Sequence, residues 1–173
     1  FAGEPLSGSW PVVYVGHGWG GPDRGIDAFD GIDVRGKIVL THGPRAMPKG
    51  VAVQQLGRIS VGASNVTTEA ARRGAVAVLM IPQTSKQPGW WEQLRGQNLV
   101  RRELDPWVPS AYAAAQITSA LLSEKAAHAL LEGERIDGPA LVARGDAEDY
   151  PASFTLGKTV TLTLPVTRTT YRP

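Results

Sequence analysis

Residues 75–81 (AVAVLMI) are apolar at every position and span the length of a strand. A strand with no polar side must be covered on both faces, as in a parallel sheet with helices packed over it. The preceding residues agree with that reading. Asn65 or Ser64 can cap a short helix running through Arg73, Glu69 falls in its early turns, and Gly74 supplies a stop. This chain therefore has to build a layered α/β core, and its 173 residues are enough for one domain with such a core.

Other segments supply further pieces. Residues 10–15 (WPVVYV) and 37–41 (KIVLT) read as strands, and Pro11, lacking a donor, puts its end of the first at a sheet edge or strand start. Residues 117–122 (ITSALL) are a strand candidate that could also be helical. Ser123 then caps a helix over 124–131 that Gly133 ends. In 159–166 (TVTLTLPV), Val160, Leu162, Leu164 and Val166 alternate with Thr159, Thr161 and Thr163, the pattern of a half-buried antiparallel strand. Two helices thus accompany the sheet. Two long stretches, 44–62 and 84–109, fit no element, and loops of that length usually have a task.

Composition narrows the function. The net charge is only +2 and the arginines stand singly or in pairs, without an aromatic–basic motif, so nucleic acid is not an expected partner. No apolar run reaches membrane-helix length, and no membrane partner is expected. The absence of cysteine closes disulfides, thiolate metal sites and thiol catalysis.

Several motifs bear on chemistry. Gly16-x-Gly18-x-x-Gly21 satisfies a dinucleotide pattern, but Pro22, Asp23, Arg24 and Gly25 follow where a helix should begin. The next strand ends in Thr41 and His42 where an acid should stand. A tight loop leaving a strand fits better, with a nucleotide-binding enzyme using this loop as the alternative. His17 and His42 each follow a strand-like run and could share a strand-end surface, with Asp23 or Asp27 completing a metal site. Polar residues bonded to backbone are the plainer account. Asp23, Asp27, Asp30 and Asp33 recur at three- or four-residue intervals, yet Gly25 and Gly31 between them argue for solvated turns. No Gly-x-Ser-x-Gly elbow is present. Trp90, Trp91 and Trp107 beside Arg95, Arg101 and Arg102 have the residue types of an interface hot spot, or of a cluster tacking a loop to the body.

The residues from Val15 to Leu40 resemble the start of a protease-associated domain of the type found in di-zinc aminopeptidases of metallopeptidase family 28. Asp33, Val34, Gly36, Lys37, Ile38, Val39 and Leu40 match its Asp-Val-x-Gly-Lys-Ile-Val-Leu entry in order. Residues 69–81 are similar to its helix–strand pair, residues from Pro109 through Leu131 to its closing portion, and 159–166 to its exit strand. The resemblance implies a single domain over residues 1–173, with a core from about 10 to 166, excised from a longer peptidase. Its fold would be α/β, with mixed parallel and antiparallel sheets and flanking helices (the swivelling β/β/α type), and its first and last strands would be neighbours.

Function by resemblance is non-catalytic. The domain would cover the active-site cleft of a secreted or periplasmic aminopeptidase or carboxypeptidase and serve substrate access, recognition or protein contacts. Its partners would be the covalently linked peptidase domain and a peptide or protein substrate. The family's zinc ligands have no matching positions here, so no cofactor is expected in this domain and zinc is expected in the peptidase domain. Trp90, Trp91, Arg95 and Trp107 are the expected face toward that domain. The alternative is a free-standing peptide- or protein-binding module.

Overall fold

The computed structural model describes residues 5–21, 25–43, 46–51, 65–83, 89 and 117–164. These form a mixed α/β fold. Five strands, β1 (Leu6–Tyr14), β2 (Ile38–His42), β3 (Ala77–Ile81), β4 (Thr118–Leu121) and β5 (Phe154–Leu164), make one sheet in the order β4-β3-β2-β1-β5. β1 to β4 are parallel to their neighbours, and β5 returns antiparallel beside β1. The three helices among the described residues are α1 (Val66–Arg72), α2 (Glu124–Leu131) and α3 (Gly138–Asp146).

The alternating direction of strand side chains builds two cores. On one face Val13, Val15, Val39 and Val78 pack with Val66 and Ala70 of α1 and with Phe29 and Val34 from the connection between β1 and β2. On the other, Val12, Tyr14, Leu40 and Leu79 pack with Ala127 and Leu131 of α2, Leu141 and Val142 of α3, and Phe154 and Leu156 of β5. β3 is covered on both sides, as its sequence requires, with Ala77, Val78, Leu79 and Ile81 buried.

The elements depart from expectation at identifiable places. β1 begins at Leu6, and Pro11 lies within it. It is tolerated there because pairing with β2 starts only at Val12, and the register with β5 shifts between Pro11 and Val13. β5 begins at Phe154, ahead of the strictly alternating part. Lys158 occupies an inner position of that strand because its ammonium reaches the Ala129 and Glu132 carbonyls (3.1 and 2.5 Å) at the end of α2. The expectation of two helices falls one short. α3 was hidden by Gly138 and Gly145, although Asp137 caps it (Ala140 N–H to Oδ1, 2.8 Å) and a proline opens its first turn.

Candidate functional site at the strand ends

Asn65 caps α1 by accepting from the Thr68 N–H at 3.1 Å, and this fixes the helix beside the loop that leaves β1. The loop passes so close that a Cβ at Gly18 (φ 71°) would stand 2.6 Å from the Val66 side chain, and one at Gly20 would stand 2.4 Å from Glu69. These glycines serve close packing against α1. No helix is present among the described residues from Gly21 to Lys37, so the dinucleotide geometry is absent there.

The loop is locked to the end of β2. The Gly16 carbonyl accepts from the His42 N–H at 3.0 Å and from the Thr41 hydroxyl at 2.9 Å, and Val15 N–H donates to Leu40 at 2.9 Å. Beyond it, a depression of about 400 Å³ opens at the carboxyl end of β1. Strand order turns back at this point, from the β1-to-β4 series to the antiparallel β5. Its walls are Gly16 and His17, the turn carrying Asp27 and Asp30, Lys49, and the segment from Glu148 to Ser153 that leads into β5.

Asp27 is committed to structure. It accepts from the Phe29 N–H at 2.9 Å and pairs with Arg73 at 2.7 Å. Arg73 also grips the buried Glu69 at 3.0 Å, donates to the Phe29 carbonyl, and lies 4.9 Å over the Phe29 ring. Asp149 is tied to Arg144 at 3.1 Å. Asp30 is exposed, and Asp33 accepts from the Arg35 N–H at 3.0 Å in a turn. Asp23 lies outside the described residues.

The histidines do not share a strand-end surface. His42 belongs to β2 and is fully buried beneath α3, with Nε2 3.0 Å from the Tyr14 hydroxyl. Burial lowers its pKa to about 4. His17 lies in the loop, where Nδ1 accepts from the Trp19 N–H at 3.0 Å, so the neutral ring carries its proton on Nε2. Burial lowers its pKa to about 4 as well, against the opposing pull of Asp27. The two rings meet a common neighbour, Tyr150, which sequence reasoning passed over because nothing around it marks a site. Burial pushes the Tyr150 phenol up to about 12, while the Met47 backbone and Gln83 act in the opposite sense. Its oxygen is buried without a hydrogen bond of good geometry.

The walls of the depression carry charges of both signs. They hold carboxylates, a lysine and an imidazole Nε2–H around a small concavity. The Ser153 hydroxyl is spent on the Ala28 carbonyl at 2.6 Å. Among the described residues, no group of three or more His, Asp or Glu is placed to hold a metal ion. No helix among them is long and apolar enough to cross a membrane. Trp90, Trp91, Arg95 and Trp107 lie outside the described residues.

Neither a protein-family model nor a curated protein matches the chain. Among solved structures it is similar to an aminopeptidase from Aneurinibacillus sp. strain AM-1, at 16% identity and a TM-score of 0.35. That similarity covers 91% of this chain and 28% of the aminopeptidase, so the chain spans under a third of that protein's length.

Proposed function

We propose that the chain is a non-catalytic domain of protease-associated type, linked to a zinc metallopeptidase of the aminopeptidase kind. It lies over the active-site cleft there and governs substrate access, recognition or protein contacts. The observation that carries this reading is the pairing of β1 with β5 from Leu6–Leu164 to Tyr14–Phe154. The strands that lead into and out of the sheet run side by side, which is how a domain joins a host at one place. The ordered match from Asp33 to Leu40 supports it, since these residues form the turn into β2 with Lys37 Nζ closing on the Asp33 carbonyl at 2.8 Å.

On this reading zinc belongs to the peptidase domain, the protein is secreted or periplasmic, and no cofactor is assigned to this domain. The face toward the peptidase is assigned to Trp90, Trp91, Arg95 and Trp107, residue types that dominate interface energetics. The coding sequence beyond Pro173 should carry a His-x-Asp strand end and a Glu-Glu pair. In that longer protein, alanine at both Trp90 and Trp91 should change kcat/KM for peptides and leave the melting of this domain nearly unchanged. Unaltered peptide kinetics, or a large loss of stability, would overturn the assignment.

A further inference from the structure

Tyr150 is wedged between two imidazoles. Its ring centroid lies 5.6 Å from that of His17, edge-on at 78°, and 5.2 Å from that of His42, tilted at 53°. Tyr150 belongs to the segment that leaves α3, forms one wall of the depression and enters β5. The ring contacts join Tyr150 to the loop after β1 and to the end of β2, alongside the reach of its hydroxyl toward the Met47 backbone and Gln83.

Both imidazoles are built to be neutral. A second proton on His17 would fall on Nδ1 and abolish the bond from the Trp19 N–H. His42 uses Nε2 on Tyr14, and its Nδ1 is buried against Gly145, where a Cβ would stand 2.0 Å away. A proton on that nitrogen meets carbon and no acceptor.

We propose that the His17–Tyr150–His42 stack is an acid-operated latch: protonation of the two imidazoles releases residues 147–153 from the strand ends and widens the depression they wall. The surrounding charges offset a new imidazolium only in part, and at His17 burial outweighs the pull of Asp27. Around His17, Asp27 is held by Arg73, while Asp30, Glu148 and Lys49 line the wider concavity. Around His42, Tyr14 and Tyr150 are neutral phenols, Gln83 donates to the Gly145 carbonyl and reaches the Tyr150 hydroxyl, and Arg144 and Asp146 flank Gly145 on α3, Arg144 being paired with Asp149. The burial that holds both rings near pKa 4 means that opening, which restores ordinary imidazoles, takes up protons.

The test is amide hydrogen exchange by NMR on the 173-residue chain at pH 7 and pH 5, corrected for intrinsic rates. The reporters are Ala147, Glu148 and Asp149, whose N–H groups bond back to Ala143, Gly145 and Arg144. Their opening equilibrium should rise roughly twentyfold per imidazole on going to pH 5, while the β3 amides stay slowest. In H17Q/H42Q the rise should vanish. H17Q alone, at the half-buried ring, should remove half of it on a logarithmic scale, which keeps the test open if H42Q does not fold. The latch is overturned if these amides exchange together with β3 at both pH values, if no rise occurs, or if the rise survives the substitutions.

Discussion

Glu148 adopts φ 54°, a conformation that side chains other than glycine, asparagine and aspartate seldom take. It does so because it occupies the position just past α3, where its N–H bonds to Gly145 at 3.2 Å and the Asp149 N–H reaches back to Arg144 at 2.9 Å. Glycine is the usual occupant of that position. Glu148→Gly should therefore stabilise the fold by about 1 kcal/mol in urea denaturation. The strain sits in the wall of the depression, where a carboxylate is retained at some cost in stability. Sequence reasoning could not see this, since the conformation is imposed by where α3 stops. His42 makes the same point. Its place at the end of a strand was legible, but its burial depends on Gly145, which lies a hundred residues further on and lets α3 press against the ring.

Elements whose signals are local were legible. Asn65 caps α1, Ser123 caps α2, and the apolar run of β3 is buried on both faces, all from chemistry within a few residues of each element. What failed locally was α3, whose glycines outweighed a proper cap and an opening proline. The link between elements was not legible either. In the sequence Arg73 marks only a helix end, yet it bridges α1 to the turn after the glycine loop through Asp27, Glu69 and the Phe29 carbonyl. A lysine carries one point of charge and cannot span that fork. Arg73→Lys should therefore cost about 2 kcal/mol, read as a lower urea midpoint with unchanged slope.

For the whole molecule, the buried rings set the pH range of stability. His17 and His42 are held near pKa 4 in the fold, against an ordinary value of 6.5 when unfolded. The unfolded chain therefore binds more protons between those values, and stability is lost as pH falls below 6.5 toward 4. His42 alone contributes on the order of 3 kcal/mol to that loss. At the other end, burial raises Tyr14 well above its ordinary value and Tyr150 to about 12, so stability declines as pH climbs past 10. A plot of melting temperature against pH should show a plateau from about 7 to 10, and His42→Gln should flatten its acid limb. The sequence by itself determined a layered α/β core with a parallel centre and an antiparallel terminal strand, because strand and helix periodicity and caps are written within a few residues. The tertiary structure alone decided that His17, Tyr150 and His42 meet where the chain turns back beside β1. Those contacts join residues more than a hundred positions apart, and only the closed sheet with α3 packed on it brings them within ring contact.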